Sequence, residues 1–323
     1  MSSVDLGPGA DPVGGASRRY RVLALPPGLR HGTVDAVDPS GRWQAGHAQD
    51  RDGVEHLVLW DDGVPADLGT VYLDPVAINR DGMMVGGFSW RYHRGEFRTL
   101  APVPGGHSTV AAVNDGGVAA GSSSRTGARL DVPVLWEGAN GPAVLPLGPD
   151  DNWGSVAGIS GDGTVAGEAG HGAHNVADLS SRPVVWHPSG RIADLALPAD
   201  TSPGATLRLL GIHDGVITAN QKTGRRERVL QWPHPAGVPV VVAEGHAAAV
   251  SGTGAIVVYL KHSGGDRSAW LLHGESLIRL RDSTDPLRPA IVTGVTDTGD
   301  AYGWAHDDNR GTSTMPVVWR RDS

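Results

Sequence analysis

The sequence predicts an all-β protein, a seven-bladed β-propeller of four-stranded blades, on three observations. A unit recurs seven times, its turn glycines about 35 to 52 residues apart, which is the spacing of propeller blades. Glycine is abundant, 47 of 323 residues, with 23 prolines and 39 % hydrophobic content, as many short strands joined by tight turns require. The last unit lacks a fourth strand while an orphan strand precedes the first, so the N-terminal strand is expected to complete the last blade and close the ring. An open solenoid would need capping repeats, and none is visible.

The first half of each unit is a small residue, Val or Ile, a polar turn ending in glycine, and an apolar run often ending in glycine. It reads AVDPSGRWQAG from Ala36, AINRDGMMVGG from Ala77, AVNDGGVAAG from Ala112, GISGDGTVAG from Gly158, GIHDGVITAN from Gly211, AVSGTGAIVV from Ala249 and GVTDTGDAYG from Gly294. The turn glycines Gly41, Gly82, Gly117, Gly163, Gly215, Gly254 and Gly299 supply a positive φ between strands a and b. The second half ends strand c on an aromatic, Trp60, Trp136, Trp186, Trp232, Trp270 or Trp319, with Tyr92 in the shortened second unit. These rings fill the space between neighbouring twisted sheets. A further run ending in leucine or proline is strand d, and Tyr20 to Pro26 is the orphan that completes the seventh blade. Residues 1–18 are read as a disordered tail and 19–323 as one propeller domain.

This pattern, A-[VI]-[ND]-x-x-G-x-x-[AV]-G followed by a Trp-ending strand and a D-L or L-P run, resembles the HAF-type repeat of bacterial propeller-like proteins from Arg19 onward. The resemblance implies the architecture. It transfers no functional residue, because the residues of the repeat are structural, and this chain departs from the often exported family in lacking an export signal.

Several function classes are disfavoured. With no cysteine there is no disulfide framework, thiolate metal site or cysteine nucleophile. A net charge of −8 without a sustained basic stripe argues against nucleic acid, and Arg225, Arg226, Glu227 and Arg228 read as a solvated loop. The first residues hold no apolar signal region, so a cytoplasmic product is expected. No apolar stretch is long enough for a membrane helix. Gly161 to Gly167 resembles a nucleotide loop but opens a strand, and no G-x-S-x-G elbow occurs. The acidic runs Asp50 to Asp52, Asp61-Asp62 and Asp307-Asp308-Asn309 lack calcium-loop spacing.

Short a–b and c–d turns and longer, polar b–c connections place the expected site in the central funnel on the long-loop face. Six positions before the Val/Ile of each repeat stand His31, Tyr72, His107, Trp153, Thr206, Glu244 and Pro289, a column that differs from blade to blade. The b–c side adds His47, Glu168, His171, His174, Tyr259, Lys261, His262, Trp304 and His306, with His246 beside Glu244. From these, His31, Tyr72, His107, Glu168, His171 and His246 are the catalytic candidates, suited to acid–base work near neutral pH. His47, Trp153, His174, Glu244, Tyr259, Lys261, Trp304 and His306 are the substrate-binding candidates. No cofactor is predicted; a divalent metal held by histidines such as His31, His107, His171, His174 or His246 is the alternative. Two functions stay open. One is a cofactor-free lyase, isomerase or cyclase acting on a small organic molecule. The other is a non-catalytic ligand- or protein-binding propeller. A monomer is expected.

Overall fold

A computed structural model of the chain describes residues 16–70, 74–124, 130–138, 140–172, 180–261, 267–274, 276–281, 290–306 and 313–321, with backbone alone for Ser180 and Lys261. The described residues form no α-helix, and their strands make the seven four-stranded blades of a β-propeller. Strands a to d run Ala36–Val37, Trp43–Gln49, Glu55–Asp61 and Val64–Asp67 in blade 1, and Pro75–Ile78, Met84–Gly86, Trp90–His93 and Glu96–Thr99 in blade 2. Blade 3 is Ser108–Val113, Ala119–Ser124, Asp131–Trp136 and Ala143–Val144; blade 4 is Trp153–Ile159, Val165–His171, Ser180–Trp186 and Ile192–Asp194. Blade 5 is Thr206–His213, Val216–Thr223, Arg226–Trp232 and Val240–Glu244; blade 6 is His246–Val250, Ile256–Lys261, Arg267–His273 and Ser276–Arg281. Blade 7 has Ile291–Val295, Ala301–His306 and Thr314–Trp319 as strands a to c. The chain divides into two compact units, one of Met1–Pro75, Lys222–Val229 and Val241–Ser323, the other of Val76–Gln221 and Leu230–Val240.

All seven turn glycines of the repeat have φ between 73° and 85°, the left-handed region that glycine enters without steric cost. In five blades the polar residue after the Val or Ile, Asp38, Asn79, Asn114, Ser251 or Thr296, caps the same turn. Asp38 accepts the backbone N–H groups of Ser40 and Trp43 at 2.8 and 2.7 Å, and Asn79 accepts those of Asp81 and Met83 at 3.1 and 2.9 Å. The two asparagines also join blades: Asn79 donates to the Asn114 carbonyl at 2.9 Å and Asn114 to the Ser160 carbonyl at 3.1 Å. Each buried amide therefore satisfies its own turn and a neighbour's carbonyl.

The second repeat glycine has a different cause. Strand a carries a register shift, a β-bulge, in blades 3, 4, 6 and 7, and the second glycine lies against a backbone carbonyl of strand a or of the chain leading into it. A Cβ added to Gly121, Gly167 or Gly303 would lie 1.9–2.0 Å from the carbonyl oxygen of Thr109, Ser155 or Ile291, and one on Gly46 would lie 2.0 Å from that of Thr33.

Trp60, Trp136, Trp186, Trp232, Trp270 and Trp319 are the largest fully buried side chains. Five donate their indole N–H to a carbonyl at or just beyond a strand d: Trp60 to Ala24, Trp136 to Ala101, Trp186 to Pro146, Trp232 to Ala196 and Trp319 to Arg281, at 2.6–3.0 Å. Trp270 turns instead to Ser268 Oγ at 2.7 Å. Tyr92 holds the corresponding ladder position in blade 2, opposite Met84, but is only half-buried and packs on Phe97.

The N-terminal segment is used twice. Ser17–Arg19 pairs in parallel with Ser276–Arg281 as a fifth strand of blade 6, and Arg21–Val22 pairs antiparallel with Thr314–Trp319 as strand d of blade 7. Between them Tyr20 is buried, edge-on to Trp319 at 5.8 Å. The segment expected to serve one blade thus grips two, and structure begins before residue 19; residues 1–15 lie outside the described residues. The arginine run is also corrected. Arg226, Glu227 and Arg228 open strand c of blade 5 because Arg226 finds Glu244 at 2.5 Å, Glu227 faces Lys222, and Arg228 is buried. The b–c connections vary in length, with three residues in blade 2 and two in blade 5.

Candidate functional site

The most organised polar cluster lies on blade 1. Thr33 donates its backbone N–H to the His47 carbonyl at 2.8 Å, which sets the chain before strand a beside strand b. Asp35 Oδ2 then sits 2.8 Å from His47 Nδ1 and accepts the Thr33 hydroxyl at 3.2 Å. On the other side of the ring, His47 Nε2 is 3.8 Å from Asp74 Oδ1, beyond hydrogen-bonding distance. Asp35 therefore fixes Nδ1–H as its donor and leaves Nε2 as the working nitrogen. Burial pulls the imidazole pKa down, but the hydrogen bond to Asp35 and the charges of Asp35, Asp74 and Glu55 outweigh it, and His47 is raised above the ordinary histidine value.

His31 stands two residues before Thr33, at φ 53°, with Nδ1 buried and without a hydrogen-bond partner. A non-glycine residue in this region stores strain that the surroundings must hold. The following residue, Gly32, leaves no room, since an added Cβ would lie 2.8 Å from Leu25 Cδ2 and 3.2 Å from the His47 carbonyl.

The same unit contains further predicted residues. Trp304 and His306 alternate with Ala305 on strand b of blade 7 and meet edge to face at 5.3 Å, with His306 Nδ1 buried and unpartnered. His246 and Tyr259 are ladder partners in blade 6. The Tyr259 hydroxyl accepts the Val292 N–H at 2.7 Å and reaches the Ala290 carbonyl at 3.4 Å, so this phenol is tied to blade 7. Burial raises its pKa, against that hydrogen bond. Glu244 ends strand d of blade 5 and pairs with Arg226. Lys261 ends strand b of blade 6, opposite Arg267.

In the other unit, Trp153 and Thr206 begin strand a of blades 4 and 5, while His107 directly precedes that of blade 3. His107 and His171 are exposed, and His171 Nδ1 lies 3.1 Å from the Asp150 carbonyl. Glu168 stands opposite Ser155, two ladder positions from the Trp153–Gly170 pair and on the same face as Trp153. Burial pushes its carboxyl above the usual range against an opposing hydrogen bond from Ser181. Tyr72, His174, His262 and Pro289 lie outside the described residues. Among the described residues no three His, Asp or Glu side chains gather as metal ligands.

Sequence reasoning missed Asp35, Thr33 and Asp74. A signal for Asp35 was present: the residue before the small residue of each repeat is Asp35, Val76, Ala111, Ala157, Leu210, Ala248 or Thr293, and only Asp35 is charged.

No family model matches the chain, and no curated protein matches it. Among solved structures it is similar to a puromycin-hydrolyzing peptidase of Mycobacterium tuberculosis, with TM-score 0.54 and 15 % identity over 93 % of this chain and 56 % of that one. It is similar to dipeptidyl peptidase 4 of Porphyromonas gingivalis, with TM-score 0.50 and 10 % identity over 93 % and 53 %. A lectin of Aleuria aurantia aligns with TM-score 0.41 and 14 % identity over 92 % and 95 %. The chain spans little more than half the length of the two peptidases. At these identities the likeness concerns the propeller fold alone.

Proposed function

We propose that the protein is a cofactor-free enzyme that moves a proton on a small organic molecule, in a lyase, isomerase or cyclase reaction, with His47 as the acid–base residue. The observation that carries this is the Asp35–His47 pair at 2.8 Å, steadied by Thr33, with Nε2 facing Asp74 at 3.8 Å, beyond hydrogen-bonding distance. Asp35 is the positioning residue: it holds the ring, fixes the tautomer and stabilises the imidazolium. His31 is the second candidate, on the strength of its strained backbone and orphaned Nδ1. The placement in the HAF-type repeat family and the cytoplasmic location belong to the same proposal.

The test is incubation with small-molecule libraries in deuterated water, reading deuterium uptake or isomerised products by mass spectrometry. Loss of about 100-fold or more is expected for His47→Gln. A discovered substrate turned over equally by this variant would overturn the assignment.

A second reading, a non-catalytic binding propeller, has one observation in its favour. Phe88 is 77 % exposed at φ 61°, followed by Ser89 at φ 59°, so a tight turn of blade 2 holds an aromatic ring out in solvent. Loss of ligand or partner binding in Phe88→Ser, with no turnover found in the wild type, would favour it.

A further inference from the structure

On blade 4 the register of strands a and b places Trp153, Ser155 and Glu168 on one face. Ser155 is directly opposite Glu168, and Trp153 is directly opposite Gly170. Because Gly170 has no side chain, nothing from strand b stands across from the indole. Trp153 and Glu168 are then diagonal neighbours, within the reach of an aromatic and a long side chain.

Both side chains are incompletely served. The Trp153 Nε1–H is buried and makes no hydrogen bond. Glu168 is half-buried, and burial rather than any neighbouring charge dominates its environment, the Ser181 hydrogen bond being its one opposing influence. The nearest cation in the ladder, Arg182, is opposite Ala169 and so belongs to the other face, where it is bound to Asp151 and Asp194. His171 shares that other face with Ala169 and is exposed. A partly desolvated carboxylate without a counter-ion is costly, and a cation relieves it.

We propose that Trp153 and Glu168 form a binding site for an organic ammonium ion. The carboxylate neutralises the cation, and the indole face offers cation–π attraction. The net charge of −8 draws cations toward the protein from a distance. This site is separate from His47 and does not depend on its role.

The test is calorimetric titration of the full chain at low salt with choline and with phenethylammonium, each against its neutral counterpart, 3,3-dimethylbutan-1-ol and 2-phenylethanol. At least one cation is expected to bind tenfold or more tightly than its neutral partner. Glu168→Gln is expected to abolish that selectivity without lowering the melting temperature, and Trp153→Leu to weaken cation binding about tenfold. A second readout covers a variant that folds poorly: the indole N–H resonance of Trp153, assigned by its loss in Trp153→Phe, should shift on adding the cation to wild-type protein. Equal binding of cations and neutral partners, selectivity that persists in Glu168→Gln, or an unmoved Trp153 resonance would each overturn the proposal.

Discussion

His47 shows how much of the chemistry is decided by single residues. It occupies the position after the second repeat glycine, where the other blades carry Gly87, Ser122, Glu168, Asn220, Tyr259 and Trp304. The role of each depends on what strand a of its own blade, or the chain leading into it, brings opposite: Asp35 and Thr33 for His47, Ser155 for Glu168, His246 for Tyr259. Replacing Asp35 by Asn removes the hydrogen bond and the charge that hold the imidazolium, so the His47 pKa should fall, read as an acid-ward shift of its ring proton titration by NMR. An unmoved titration would mean that Asp35 does not set the protonation state. The glycines separate just as sharply. Gly167→Ala drives a Cβ to 2.0 Å from the Ser155 carbonyl and 2.9 Å from Trp186, and should destabilise by about 3 kcal/mol or more in urea denaturation. Gly53→Ala, with φ 79° and open space around it, should cost only about 1 kcal/mol of backbone strain.

At the scale of elements, the tryptophan strands and the N-terminal segment hold the blades together. Trp136 combines full burial with a 2.7 Å bond to the Ala101 carbonyl, so Trp136→Ala should cost about 3–5 kcal/mol, and Trp136→Phe less. The N-terminal segment contributes Tyr20 on Trp319, Leu23 in the core and the Ala24 carbonyl to Trp60. Removing residues 1–15 should leave the melting temperature unchanged, whereas removing 1–24 should lower it by roughly 6 °C or more. Equal melting temperatures would show that these contacts contribute little. The strand pattern and the aromatic column were readable beforehand, since period, turn glycine and tryptophan are local signals. The double use of the N-terminus was not, because parallel pairing at a blade edge has no local signature.

For the molecule as a whole, His47 and Glu168 act in the same direction on stability. Both folded pKa values are raised, one by a partner and one by burial. Each contribution is therefore fully present below the unfolded pKa, about 6.5 for His and about 4.3 for Glu, and is lost as pH rises through the folded value. Chemical denaturation at pH 5 and pH 8 should show lower stability at pH 8, and Glu168→Gln should reduce that difference. A steeper fall in the variant would contradict the burial of this carboxyl.

The amino-acid sequence by itself determined the seven repeats, their four-strand content, the left-handed turn glycines and the buried tryptophans, because each arises from residues near one another in the chain. Only the tertiary structure decided that Asp35 meets His47, that the second glycine answers a close backbone carbonyl rather than a turn, that Tyr259 is spent on a backbone N–H, and that the N-terminus serves two sheets. Those outcomes depend on cross-strand register and on contacts between blades. A one-residue slip turns every side chain of a strand to its other face, so repeat composition can place a candidate on a strand without saying what it will touch.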